Sequence, residues 1–182
     1  MPAKDEFLIV LDFLSTGKAG DRRSEPVAQG VDDKYFSLLE IVLKEGVSTK
    51  SKDRLYIGEG KRDQVKYIRS KIGFDELTSY AKDVLEEVVT ELVSKDEKRF
   101  VEFFNKSSAL TTRMHSLELL PGIGKKHLWS IIAERKKKSF ETFEEIKQRI
   151  SMVSDPKKMI IRRVMDELQE KDRHKLFVSG IV

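Results

Sequence analysis

The chain has 182 residues, enough for one large domain or two small ones, each with its own core. It contains no cysteine, which excludes disulfides, thiolate metal sites, iron–sulfur clusters and cysteine nucleophiles, and fits a reducing cytoplasm. The net charge of +4 is unevenly spread: residues 76–109 carry 5 basic against 8 acidic side chains, and residues 110–182 carry 16 against 10.

The opening residues, Met1 to Glu6, lack a signal-peptide layout, and the longest apolar run, Phe7 to Leu11, is too short to span a bilayer. A soluble cytoplasmic protein with no membrane partner is expected. Residues 6–14 are rich in β-branched and aromatic side chains and stop at Ser15-Thr16-Gly17, so they read as a strand. Glycines and Pro26 make residues 17–26 a loop. Further strands are expected over 27–31, 35–43, 54–57 and 64–68, with Gly58-Glu59-Gly60 turning or bulging between the last two.

Five short strands separated by turn signals predict a small closed or nearly closed barrel over residues 1–74, OB-like by first choice. Such a barrel would offer Arg22, Arg23, Lys50, Lys52, Arg54, Lys61, Arg62, Lys66 and Arg69 for charge, and Tyr35, Tyr56 and Tyr67 for stacking. Strand tyrosines more commonly pack, and this region is almost charge-neutral.

Residues 75–108 read as connecting helices. Leu77, Ala81, Val84, Leu85, Val88 and Leu92 fall at helical spacing over 75–94, with Asp75 as the expected cap. A second helix over 97–105 brings Phe100, Phe103 and Phe104, expected in the core. Asn105-Lys106-Ser107-Ser108 breaks the pattern, and a helix over 109–119 is expected to lead into Leu120-Pro121-Gly122-Ile123-Gly124-Lys125-Lys126.

In that stretch Pro121 ends a helix, the two glycines permit a backbone reversal, and Lys125 onward resumes a helical pattern with Leu128 and Ile132 inward. A helix start offers outward N–H groups and a positive dipole end, which suit a phosphate. It is not a nucleotide-binding P-loop, because Leu119 and Lys126 stand where that loop needs Gly and Ser or Thr. At this helical spacing Trp129 is expected in core or interface packing.

Hydrophobic, Pro, Gly, hydrophobic, Gly, Lys, with apolar residues after it, resembles the helix-hairpin-helix family of sequence-tolerant nucleic-acid binders. The resemblance implies that the amides around Gly122, Ile123 and Gly124 hold a phosphate, that Lys125 and Lys126 add charge, and that Ile123 anchors the hairpin inward. The bland alternative is a glycine-capped turn with solvated lysines.

A helix over 140–150 follows, then a short break, then Asp155-Pro156 as an N-cap with proline in the first turn of a helix to about Gln169. A shift of 32 residues sets Lys157 and Lys158 on Lys125 and Lys126, Ile160 on Leu128, Val164 on Ile132, Met152 on Leu120 and Ile146 on Met114. Residues 109–171 then read as a tandem helix-hairpin-helix domain. Its second hairpin is degenerate, because Ser154 and Pro156 replace the glycines. Chance alignment of ordinary packed helices is the competing reading. Residues 175–181 look like a strand, expected to complete the N-terminal barrel.

The fold class expected is α+β: an N-terminal OB-like barrel followed by an all-α tandem helix-hairpin-helix domain. That order resembles bacterial proteins that bind branched DNA junctions. Over nearly the whole chain it is similar to an archaeal family of unassigned function predicted to bind nucleic acid. His115, His127 and His174 have no metal-site spacing, no Gly-x-Ser-x-Gly is present, and no cofactor is implied. The enzyme reading is a glycosylase relative with Asp155 as catalytic carboxylate, but its place before Pro156 favours a capping role. The sequence therefore reads as a non-catalytic RNA- or DNA-binding protein, with a protein-interaction adaptor as the alternative.

Overall fold

The computed structural model describes residues 6–178, which divide into two compact units, residues 6–89 with 167–178 and residues 90–166. The α+β class holds. In the first unit, β1 (Phe7–Leu14), β2 (Val27–Asp32), β3 (Leu38–Leu43), β4 (Arg54–Tyr56) and β5 (Val65–Lys71) form one antiparallel sheet in the order β4-β1-β2-β3-β5. Bulges in the β1–β2 and β3–β5 ladders bend the sheet, which curls as a half-barrel over Leu8, Val10, Ile41, Leu43, Leu55 and Val65.

The sheet is a half-barrel, more open than the closed or nearly closed OB-like barrel expected. Its edges are β4 and β5, and no pairing joins them among the described residues. A three-residue β4 leaves too little ladder for closure. The chain enters it through Lys52 in the left-handed region (φ +72°) and leaves it by folding back over the Tyr56 ring. A Cβ on Gly58 would stand 2.5 Å from the Tyr56 hydroxyl, and the Gly60 N–H donates to that hydroxyl at 3.1 Å.

Buried polar groups set two element starts that periodicity places too early. The Asp32 carboxylate accepts the N–H groups of Lys34, Tyr35 and Ser37, which holds residues 33–37 as a turn and delays β3 to Leu38. Helix α1 (Ser79–Lys95) is not capped by Asp75. A 3₁₀ turn (Phe74–Glu76) precedes it, and the Thr78 hydroxyl accepts the Ala81 N–H while donating to Asp12. The fully buried Gln29 side chain accepts the Thr78 N–H and donates to the Glu76 carbonyl, which ties that start to β2.

Residues 175–178 are not a strand, against expectation, and residues 179–181 of that segment lie outside the described residues. The buried Glu167 carboxylate accepts the N–H groups of Leu176, Phe177 and Val178 at 2.7–3.0 Å, so a side chain supplies the partners that a sheet edge would have given.

The second unit contains α2 (Glu97–Lys106), α3 (Lys125–Lys137), α4 (Phe143–Arg149) and the body of α5 (Pro156–Leu168). Phe100, Phe104, Leu120, Leu128, Ile131, Ile146, Ile160 and Val164 are buried. The helix expected over 109–119 is absent. Thr111 Oγ1 accepts the Arg113 and Met114 N–H groups, Ser116 Oγ donates to the Ser108 carbonyl, and Ala109 bridges His115, leaving only a 3₁₀ turn (Ser116–Leu119). Serine and threonine side chains here give the backbone an alternative to helical bonds.

Candidate nucleic-acid interface

Leu120-Pro121-Gly122-Ile123 forms a turn closed by the Ile123 N–H donating to the Leu120 carbonyl at 3.1 Å. Proline at the second position with Gly122 at φ +89° in the third is the requirement of a type II turn. Leu120 and Ile123 are buried on its inner side. The second-unit helix α5 packs against it: a Cβ on Gly122 would stand 3.3 Å from Met159 Cε, and the buried Arg163 donates to the Leu119 carbonyl at 3.1 Å.

Gly124, extended and exposed, is the N-cap of α3, and among the described residues no side chain accepts the first helical N–H groups. The amides do not all face outward as the resemblance implies. That of Ile123 closes the turn, that of Gly124 donates to His127 Nδ1 at 3.2 Å, and that of Leu128 donates to the Gly124 carbonyl, so the amides of Lys125, Lys126 and His127 are the open ones.

The two lysines of this start also differ. Lys125 Nζ pairs with both Glu118 oxygens, at 2.9 and 3.0 Å, and donates to the Arg113 carbonyl at 3.2 Å. The Lys125 hydrogen bond, with that from the His115 N–H, holds the Glu118 carboxyl below its ordinary range. Lys126 is exposed and has no ion-pair partner among the described residues.

The second lysine pair sits differently. The Val153 N–H donates to the Ile150 carbonyl at 2.9 Å, so a turn recurs, but its closing residue is three positions before the helix begins at Pro156, whereas Ile123 is two before Lys125. Turns and helix starts therefore align at shifts of 30 and 31 residues rather than 32, and Met152 is exposed where Leu120 is buried. Asp155 caps this start: its Oδ1 accepts the Lys158 N–H at 2.9 Å and its Oδ2 lies 3.8 Å from Lys158 Nζ. Lys157 is half-buried. The geometry brings Gly124 and Lys126 to one open helix start and places Lys157 and Lys158 at a separate, closed one.

Three further residues lie beside the open start or along the same face of its helix. The Arg113 backbone touches Lys125, which places its loop there. Trp129, expected inside, is 64% exposed, and the exposed Lys136 lies two turns further along α3, with no ion-pair partner among the described residues. Helical spacing gives the signal for the last two: Lys126, Trp129, Ala133 and Lys136 step by three, four and three residues and share a face. In the sheet unit, by contrast, Lys52 pairs with Glu87, Arg54 with Asp33, Lys66 with Glu25, and Arg69 with Asp21 and Glu40, while Tyr67 donates to Glu25.

No helix among the described residues is long and apolar enough to cross a membrane. The chain is 42% identical over 177 residues to "Uncharacterized protein MJ0038" of Methanocaldococcus jannaschii, covering 96% of this chain and 80% of that protein. Its fold is similar to the crystal structure of Af1531 from Archaeoglobus fulgidus, with a TM-score of 0.84 at 42% identity over 96% of this chain and 99% of the other. With residues 4–179 matched by the family described as "Protein of unknown function (DUF655)", the chain belongs to that family.

Proposed function

We propose that this protein binds RNA or DNA by its phosphate backbone, without catalysis, and that the grip is the start of α3. The observation that carries the reading is a helix N-terminus with an exposed glycine cap and, among the described residues, no side-chain acid over its first amides and no ion-pair partner for the adjacent Lys126. A phosphate there meets outward N–H groups, the positive end of the helix dipole and a mobile ammonium. Gly122 and Ile123 act by shaping the turn, and Gly124 by letting a ligand approach the backbone. Lys125 is held back by Glu118, and Lys157 and Lys158 contribute only long-range field. The sheet unit is a weaker candidate surface because Lys52, Arg54, Lys66 and Arg69, four of its nine candidate cations, already face carboxylates.

The test is binding of fluorescent single-stranded RNA, single-stranded DNA, duplex and junction DNA across a salt series, for wild type and Lys126→Ala. Affinity is expected to fall steeply with salt, and the slope of log K against log salt to shrink by roughly 0.7–0.9 in the variant, the increment of one phosphate contact. Absence of binding to every probe at near-physiological salt overturns the reading and favours a protein-interaction adaptor.

A further inference from the structure

Trp129 has no role in a grip made only of phosphates, yet it stands 64% exposed one turn from Lys126. From the juxtaposition of this indole with Lys126 and Lys136 on one exposed face of α3, we infer that Trp129 is a stacking platform for an unpaired base, so that the ligand is single-stranded or carries an unpaired nucleotide. The inference rests on the proposed phosphate grip and deepens it. At 1.5 Å rise per residue, Lys126 and Lys136 lie about 15 Å apart along the helix axis, with Trp129 between them. Ala133, one turn beyond Trp129, keeps the helix surface low there and leaves the ring open on that side.

The surroundings of the ring select the occupant. The charged residues that share its face are lysines, and neither Lys126 nor Lys136 has an ion-pair partner among the described residues. The carboxylate on this helix, Glu134, is turned to Lys137 and Arg149. A protein partner's apolar core would ask for a cluster of apolar side chains, whereas this face offers one aromatic ring flanked by cations. That combination matches a nucleotide, whose flat base needs a π-face and whose phosphates need positive charge. Within a duplex, base faces are already covered by their neighbours. The ring therefore discriminates for unpaired bases and adds no sequence preference.

Trp129 is the sole tryptophan, so fluorescence excited selectively at the indole reports on this face alone. The probes are a 12-nucleotide oligothymidylate, an abasic strand of the same length and a 30-base-pair duplex, titrated at one fixed salt concentration. Oligothymidylate should quench the emission and bind roughly 5- to 150-fold tighter than the abasic strand, the factor that one base–aromatic stack supplies. Trp129→Ala should reduce oligothymidylate affinity to the abasic level while leaving abasic and duplex affinities unchanged, and Trp129→Phe should recover part of the loss. Circular dichroism confirms that the variants are folded.

Equal affinity for oligothymidylate and the abasic strand, with Trp129→Ala binding like wild type, overturns the stacking role and leaves the phosphate grip standing. Failure of wild type to bind any of the three probes overturns both and assigns the face to a protein partner.

Discussion

Two helices of this chain begin after a tight turn and carry a lysine pair, yet they are finished in opposite ways. Helix α5 is closed by its own sequence, because the Asp155 carboxylate accepts the Lys158 N–H and stands where an external anion would go. Helix α3 begins on Gly124, which has no side chain to perform that task, and the N–H of that glycine is taken by the His127 ring. The lysine pair therefore does not by itself mark an anion site. The proposed phosphate grip rests instead on whether the chain has already supplied an anion at the helix start.

The strongest test makes α3 resemble α5. Gly124 has φ −99° and ψ −175°, backbone open to any residue, and a Cβ there would meet only His127 Nδ1 at 3.9 Å. Gly124→Asp should therefore fold normally, with stability changed by only a few tenths of a kcal/mol, since glycine and aspartate are both accepted N-caps. Its carboxylate would occupy the open amides and repel phosphate, so nucleic-acid affinity should fall at least about tenfold. Gly124→Asn, a cap without charge, should lose less. Wild-type affinity in folded Gly124→Asp would remove α3 from the interface.

This comparison was only partly legible in the sequence. The Pro-Gly turn, the start of α3 and the Asp155 cap follow from local chemistry, and the structure places all three where residue types put them. The five strands are local in the same sense, because β-branched and aromatic runs end at glycines or polar turns. What could not be read depends on partners distant in sequence. Gln29 fixes the start of α1 across 49 residues, and Glu167 holds the segment that looked like a final strand.

The openness of the half-barrel depends on distant partners too: residues 175–178, part of the segment expected to complete it, are held by Glu167, and β4 is one residue shorter than the four expected. The exposure of Trp129 is masked in the sequence by Leu128 and Ile131, buried on the interior side of the same helix. The pairing of Lys125 with Glu118 needed the 3₁₀ turn that replaced an expected helix.

The converse test opens α5. Asp155→Ala removes the cap and should cost about 1 kcal/mol in chemical denaturation, within the usual range for such a change. Nucleic-acid affinity should stay constant, because Lys157 and Lys158 sit one helical position later than Lys125 and Lys126 and the turn before them lacks a flexible glycine. A steeper salt dependence in the variant would instead mean that Asp155 keeps a second phosphate site shut.

The smallest effect concerns Lys125, the residue that shares features of both helix starts: it lies at the open one but is already satisfied by an internal carboxylate. Acid cannot free it at any moderate pH. The Lys125 hydrogen bond and the His115 N–H hold the Glu118 carboxyl below its ordinary range, so Glu118 gives up its charge only when the pH falls below that of a free carboxyl. Substitution can free it. Glu118→Gln keeps an oxygen for the His115 N–H and removes the charge that detains the ammonium. If Lys125 then swings to the ligand, affinity at low salt should rise a few-fold and the salt slope should steepen by just under one unit, the signature of one added phosphate contact. Lys125→Ala in the Glu118→Gln background should cancel both gains, while Lys125→Ala alone should scarcely change binding. Were Glu118→Gln to leave slope and affinity as they are, Lys125 would be part of the scaffold that shapes the hairpin, and Lys126 would carry the side-chain charge of the grip alone.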